Sequence, residues 1–270
     1  RYGGITHTNS LVEDRGKRYV VMIGDDLPVH GVMRFNELAA ARAAHAAGLS
    51  PENVYSEAGL FIIRFIDGKT FTEPDVRNPE NLDRIIPLLR ICHDNIPTHL
   101  QGPALVFWPF HVCRNYIRTA REGNSRLKNL LPRFLGICES LEKSVGEIKL
   151  VFGHNDLLAA NFIDDGSRLW LLDWDYAGFN TALFDLANLS SNNELSEALE
   201  ERLLESYYEQ PVTDRLRRRF ASMKCVSLLR ETLWSIVQEI HSSIDFDYEE
   251  YTGKNIERFE KAYETFQSLD

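Results

Sequence analysis

Four polar side chains between residues 152 and 178 have the types and spacing of a metal-assisted catalytic site. His154 and Asp156 form an H-x-D pair, and Asn161 follows five positions later. Asp173 ends an apolar strand pattern twelve positions beyond Asn161. Carboxylate and amide oxygens suit Mg²⁺, and an ion with so few protein ligands is typically completed by nucleotide phosphates. Asp156 remains free to orient and deprotonate a hydroxyl group, so the pattern favours an alcohol as the nucleophile.

The same segment resembles the catalytic region of choline/ethanolamine kinases and aminoglycoside phosphotransferases, a group with a protein-kinase-like fold. This group carries H-x-D-x(4)-N followed by a D-[FW]-[ED] turn, which here reads Asp173-Trp174-Asp175. The resemblance implies that Asp156 is the catalytic base and that His154 is a structural residue of the catalytic loop. It also implies that Asn161 and Asp173 are the Mg²⁺ ligands.

Two nearby residues have structural roles by the same resemblance. Asp185, in Phe184-Asp185-Leu186, matches an aspartate that supports the catalytic loop in this fold. Trp174 follows the metal-binding aspartate at a position that is usually packed in the core, and burial is favoured over ligand contact.

The N-terminal part of the chain carries the expected nucleotide site. Residues 3–9 resemble the G-G-[IL]-T-N turn of choline kinases, in which small residues let backbone N–H groups approach the phosphates. The resemblance implies that the following residues bind ATP: Gly3, Gly4, Ile5, Thr6, Thr8 and Asn9. Arg34 to Glu37 resembles the family's R-x-x-E pattern at the start of a helix, and Glu37 is therefore added to the nucleotide site.

The acceptor site is predicted from two segments. Residues 233–238 resemble the L-W-[SG]-[IL]-[IV]-Q segment of choline kinases, whose tryptophan, here Trp234, lines the pocket of a cationic substrate. Asp175 and Tyr176 lie where the family has an acid and an aromatic residue beside the substrate. Aromatic faces and carboxylates hold an ammonium group, which favours the choline kinase branch over the aminoglycoside branch.

Two positions depart from the family pattern. Met22 stands on the strand where choline kinases have Arg or Lys, and methionine can neither neutralise phosphate nor pair with Glu37. Arg18 shares the strand face but lies about 13 Å away by strand rise. Glu231 stands where many choline kinases have a second tryptophan, so we expect preference for primary or secondary amines, which donate hydrogen bonds, over choline.

The predicted function is therefore ATP- and Mg²⁺-dependent phosphorylation of the hydroxyl group of a cationic amino alcohol. Two alternatives stay open. Because Met22 replaces the expected basic residue, the chain can instead be a weak or inactive kinase-like binding module. It can also be an aminoglycoside-directed or other small-molecule phosphotransferase, which shares the catalytic loop but needs a wider acceptor site.

Charge and composition agree with a small cationic partner. The 270 residues contain 30 basic and 40 acidic side chains, and those after position 150 contain 11 basic and 23 acidic ones. This acidity disfavours nucleic acid and anionic membranes as partners. Four widely spaced cysteines, the lack of a membrane-spanning run and the lack of a signal-peptide pattern predict a cytoplasmic protein. The chain begins at Arg1, which predicts a trimmed N-terminus. The sequence gives no prediction of the oligomeric state.

The predicted fold is a two-lobed α+β protein-kinase-like fold with a small antiparallel sheet and a mostly helical second lobe. We place the nucleotide-binding lobe at residues 1–68 and the lobe with the catalytic loop and substrate site at 69–270. Expected elements are an N-terminal hairpin, a helix over 36–47, a strand over 60–66 and a polar linker over 67–79. Further helices are expected over 82–93, 129–144 and from 195 onward, around short strands between 148 and 172.

Overall fold

The structure of the protein is a computed structural model that describes residues 2–3, 8–242 and 244–269. Its first part is a five-stranded antiparallel sheet in the order β1-β2-β3-β5-β4. The strands are β1 (Tyr2–Gly3), β2 (Thr8–Asp14), β3 (Lys17–Ile23), β4 (Asn53–Glu57) and β5 (Leu60–Arg64). Arg15 and Gly16 both have positive φ and form the tight turn between β2 and β3, which suits the twist of a hairpin. The predicted N-terminal hairpin is thus confirmed.

Helix α1 (Arg34–Ala46) lies between β3 and β4 and starts two residues before its predicted start. Its buried face carries alanines, whose small side chains let it pack closely against the second part of the molecule. The loop that follows is tied to that part, because Ser50 Oγ donates to the Leu171 carbonyl and accepts from Trp174 Nε1 at 2.7 Å. Asn36 Nδ2 adds a bond of 2.8 Å to the Ala177 carbonyl.

The segment predicted as a linker contains regular structure. Strand β6 (Lys69–Thr70) and helix α2 (Glu73–Val76) lie within it. Strand β6 pairs with the first strand of the hairpin over residues 161–173, here called the catalytic hairpin. Gly68 permits this approach, since a Cβ atom there would lie 2.5 Å from the Asp164 carbonyl oxygen. A polar, proline-containing sequence concealed the short strand. The boundary at residue 68 stays a prediction.

The remainder is mostly helical, with the catalytic strands inserted among the helices. The helices are α3 (Pro79–His99), α4 (Pro109–Glu122), α5 (Leu131–Val145), α6 (Ala182–Asn193), α7 (Glu197–Tyr208), α8 (Asp214–His241) and α9 (Tyr248–Gln267). The strands are β7 (Leu150–Gly153), β8 (Phe162–Asp164), β9 (Leu169–Leu171) and β10 (Gly178–Thr181). Helix α3 runs past its predicted limits of 82–93, because it begins with Pro79 in its first turn and continues through Pro97.

Helix α8 lies at the centre of this part and packs against α4, α5, α6 and α9. Its middle is buried on all sides, from Ser222 to Gln238 apart from Lys224 and Glu231. The four cysteines are buried and form no disulfide bond. Within the described residues, no helix has the length and apolar character needed to cross a bilayer.

Candidate active site

The catalytic loop begins where β7 ends, and Asp185 of α6 holds it in place. The two carboxylate oxygens of Asp185 accept from the backbone N–H groups of His154 and Asn155, each at 2.7 Å. His93 Nε2 lies 3.0 Å from Asp185 Oδ2, and both side chains are fully buried. Gly153 is needed at the start of the loop, because a Cβ there would lie 2.8 Å from Asn155 Oδ1. This geometry agrees with the supporting role predicted for Asp185.

His154 uses both ring nitrogens on the backbone. Its Nε2 donates to the Leu172 carbonyl at 2.8 Å, and its Nδ1 accepts from the Asp156 N–H at 3.3 Å. Burial lowers the pKa of the His154 imidazole, and this effect is larger than that of the nearby Asp185 carboxylate, which raises the pKa. The ring also packs on Trp174, which is buried as expected. His154 therefore orients the loop as a neutral side chain.

Asn155 is a second orienting residue, and sequence reasoning did not single it out. Its φ is +67°, a conformation that asparagine tolerates better than most residues. Its Nδ2 donates to the Tyr176 carbonyl at 2.9 Å, and its Oδ1 accepts from Asn180 Nδ2 at 2.9 Å. These bonds join the loop to the segment around β10.

The predicted metal ligands lie together on the catalytic hairpin. Asn161 Nδ2 donates to the Asp156 carbonyl at 2.9 Å, so its side-chain oxygen is the atom left for a cation. The Leu172 N–H donates to the Asn161 carbonyl at 2.9 Å, which places Asp173 beside Asn161. In the part of the chain that the structure describes, no three His, Cys, Asp or Glu side chains gather as a metal site. An ion held here would need further oxygens from water or phosphate.

Asn161 and Asp173 line a cavity of about 220 Å³ that also reaches the N-terminal sheet. Asn9, Met22 and Glu37, all assigned to the nucleotide side, line the same cavity. Gly3 and Thr8 lie in the adjacent strands β1 and β2, whereas Gly4, Ile5 and Thr6 lie outside the described residues. The cavity therefore brings nucleotide-side residues to the predicted metal ligands.

Arg34 forms a buried ion-pair cluster at the edge of this region. Its Nη1 lies 2.5 Å from Glu37 Oε2 and 2.8 Å from Asp175 Oδ1, and its Nε donates to the Asp25 carbonyl at 2.9 Å. Burial alone would lower the pKa of Arg34, but the two carboxylates raise it above its usual value. The structure thus places Asp175, which was expected beside the substrate, in a buried pair with Arg34.

Arg230 of α8 forms a second cluster around the predicted base, and sequence reasoning missed it. Its Nη2 lies 3.0 Å from Asp156 Oδ1 and 3.6 Å from Glu231 Oε2. Its guanidinium carbon lies 4.9 Å from the centre of the Tyr176 ring. The Tyr251 hydroxyl donates to Glu231 Oε1 at 2.7 Å. Asp156, Glu231 and Tyr176 are therefore brought together, but by an arginine and not by a ligand.

Aromatic side chains extend from this cluster. Trp234 lies one turn beyond Arg230 on α8, and its ring centre is 6.3 Å from Tyr248 and 6.4 Å from Tyr251. Phe246 packs on both tyrosines. On the opposite side His30, from the loop before α1, lies 5.8 Å from Trp234. Trp234 is therefore part of an aromatic cluster, here called the aromatic wall, whose other members come from distant segments, and its place in a substrate pocket stays a prediction.

Comparisons with known proteins give the family of this chain. A sequence model of the choline/ethanolamine kinase family matches residues 34–201. The probable ethanolamine kinase A of Dictyostelium discoideum is 28% identical over 97% of this chain and 83% of its own length. Protein LicA of Haemophilus influenzae is 23% identical over 99% of this chain and 79% of its own length.

The fold agrees as well. A choline/ethanolamine kinase family protein from Mesorhizobium loti, known from its crystal structure, is 25% identical in sequence to this chain. Its structure matches with a TM-score of 0.80, and the match covers 97% of this chain and 88% of that one. The predicted two-lobed protein-kinase-like α+β fold is confirmed. The chain belongs to the choline/ethanolamine kinase family.

Proposed function

We propose that this protein transfers the γ-phosphoryl group of ATP to the hydroxyl group of a small cationic amino alcohol. Membership of the family makes it a phosphotransferase with an alcohol acceptor. The observation that carries the finer proposal is that Asp156 contacts both sides of the site. Its carbonyl accepts from Asn161 Nδ2 at 2.9 Å, and its Oδ1 lies 3.0 Å from Nη2 of Arg230, on the helix that also carries Trp234. A hydroxyl group bound there would face both a carboxylate and the nucleotide cavity.

Asp156 acts as the base in this proposal. The loop around it is fixed by Asp185, His154 and Asn155, so its carboxylate is held without a ligand. Phosphoryl transfer depends mainly on positioning and on charge stabilisation, which suits a rigid carboxylate that orients the acceptor hydroxyl and takes its proton.

Asn161 and Asp173 would hold Mg²⁺. Both present oxygen atoms to the same cavity, and oxygen donors are what this ion prefers. A bound Mg²⁺ would neutralise charge on the phosphates of the nucleotide. The two residues themselves fix the ion's place relative to Asp156, because Asn161 bonds the Asp156 backbone.

We assign the acceptor's amine to a place beside Tyr176, Trp234 and Glu231. Aromatic faces attract a cation of any substitution, whereas the Glu231 carboxylate favours an amine that can donate hydrogen bonds. We therefore expect ethanolamine and its methylated secondary amine to be better acceptors than choline.

The mechanism is tested by Asp156→Ala with ATP, Mg²⁺ and the best acceptor. We expect turnover to fall by about 10²–10⁴-fold, the usual contribution of a positioned base, with nucleotide binding retained. Asp83→Ala is a matched control, because Asp83 is a half-exposed carboxylate paired with Arg202 on the surface. Turnover retained in Asp156→Ala would exclude Asp156 as the base.

Met22 supports a second candidate, a kinase-derived module that binds an amine without catalysis, because this side chain puts no positive charge in the nucleotide cavity. Product assays with ethanolamine, choline and an aminoglycoside separate the possibilities. A phosphorylated amino alcohol supports the enzyme. Amine binding in calorimetry without product, under any nucleotide concentration, supports the module.

A further inference from the structure

Arg230 is the least expected residue of the acceptor site. It is a permanent cation that is 2% exposed, on a helix whose middle is buried on all sides. Of its guanidinium nitrogens, only Nη2 faces carboxylates, while Nε and Nη1 are buried without a hydrogen-bond partner. The face of the guanidinium lies over Tyr176 and, at 5.9 Å, near Phe107.

Burying a charge in this way destabilises the protein unless contacts with the surrounding groups compensate for the lost hydration. Burial of a guanidinium carries a desolvation penalty, and an apolar side chain at this place would avoid it. The compensating contacts are Asp156, Glu231 and the aromatic rings. Asp156 and Glu231 remain partly exposed, at 17% and 19% of their side chains, so they can also meet a bound acceptor.

We propose that Arg230 is a positioning residue that holds the Asp156 carboxylate for the acceptor hydroxyl and limits the negative charge that the amine meets. The inference rests on the proposed function and deepens it. Arg230 is paired with Asp156 Oδ1, which leaves Oδ2 for the hydroxyl group. Asp156, Glu231 and Arg230 together carry one net negative charge, which balances one ammonium.

Removal of Arg230 would therefore have opposite effects on binding and on turnover. With two uncompensated carboxylates, the site would attract the amine more strongly. The ammonium would then compete for Asp156 itself and draw the hydroxyl group away from its productive position. Tighter binding and slower chemistry distinguish this role from a structural one, in which a damaged site binds more weakly as well.

The test measures kcat and KM for the best amino alcohol in Arg230→Met, with Arg217→Met as the matched control. Arg217 lies on the same helix but is 41% exposed and paired with Glu201. For Arg230→Met we expect kcat to fall about 100-fold, the cost of a misplaced reactant, and KM for the amine to fall about fivefold. Arg217→Met should match the native protein.

Two further variants separate charge from position. Arg230→Met/Glu231→Gln restores the net charge of the site, so KM should return to about the native value while kcat stays low. Arg230→Lys keeps the charge but lacks the planar fork, so KM should stay native while kcat falls about tenfold. The lysine variant also carries the test if Arg230→Met does not fold, which thermal unfolding would reveal.

An unchanged kcat in Arg230→Met, or a rise in KM together with the fall in kcat, would overturn the inference. A native protein that phosphorylates no amino alcohol would overturn the proposed function and this inference with it. An active native protein whose Arg230 variants behave like Arg217→Met would overturn the inference alone.

Discussion

Two buried arginines, Arg34 and Arg230, each hold two carboxylates, yet their surroundings differ. The partners of Arg34, Glu37 and Asp175, are each 3% exposed. The partners of Arg230, which are Asp156 and Glu231, are 17% and 19% exposed. The carboxylates of the first cluster are almost completely buried, with Glu37 at the edge of the nucleotide cavity, whereas those of the second are partly open to water.

The exposure of the carboxylates separates a cluster that supports the fold from one that we propose to support the chemistry. A closed pair cannot rehydrate when one partner is lost, so it links α1 to the Asp173–Asp175 turn as a structural contact. An open pair can exchange partners with a ligand at a small cost. The same residue type therefore has two uses within one molecule, and the exposure of its partners distinguishes them.

The largest loss of stability is expected for Arg34→Met. Two buried carboxylates would lose their cation, so we expect the free energy of unfolding to fall by about 3–5 kcal/mol. Urea denaturation measures it, with Arg64→Met, whose pair with Glu52 is exposed, as the control. Arg230→Met should lose less stability than Arg34→Met, and the reverse order would contradict the comparison.

A smaller effect concerns His30, on the acceptor side. Burial lowers the pKa of His30 to about 4. A hydrogen bond that His30 donates to the Gln238 side chain opposes this shift, and the charge of Arg230 adds to it. The unfolded chain then binds more protons than the folded one between about pH 6.5 and 4, so stability falls as the pH is lowered through this range.

The loss amounts to about 3 kcal/mol when it is complete. Urea denaturation between pH 4 and 7.5 measures it, and His30→Phe should have a correspondingly flatter profile. Arg230→Met lacks one cause of the low pKa of His30, so its free energy of unfolding should also change less steeply with pH. Identical slopes in all three proteins would show that His30 is not the group responsible.

The smallest expected effect is that of Met22→Lys. On the nucleotide side Arg34 is already committed to Glu37 and Asp175, so a lysine at position 22 would add the charge that the cavity wall lacks. We expect KM for ATP to fall by about three- to tenfold, the size of one screened ion pair. Met22→Leu should change nothing. An equal KM in both variants would show that position 22 does not face the phosphates.

The catalytic hairpin was predictable because its information is local. Residues 154–173 are contiguous, and the ends of short strands and the turn between them place their side chains. The hairpin β2–β3 and helix α1 followed from turn residues and from alanine content in the same way. The turn at Gly4 to Thr6 stays a prediction, since it lies outside the described residues.

The acceptor side was only partly predictable, because its members meet through long-range packing. Arg230 lies 74 positions from Asp156 and within a helix buried on all sides, where no amphipathic pattern marks the direction of a side chain. His30 and Tyr251 reach Trp234 from a loop and from α9, with no shared motif. Asp175 was assigned by position in a motif, and the arginine that pairs with it lies 141 positions earlier.

The ties of helix α1 have a mechanical consequence. Arg34, Asn36 and Ser50 each bond the segment from Leu171 to Ala177, so a swing of α1 would break three buried contacts together. A tilt of the five-stranded sheet would break none of them. A tilt of the sheet that widened the nucleotide cavity would therefore leave α1 attached to the catalytic hairpin, and Glu37 would keep its distance from Asp173.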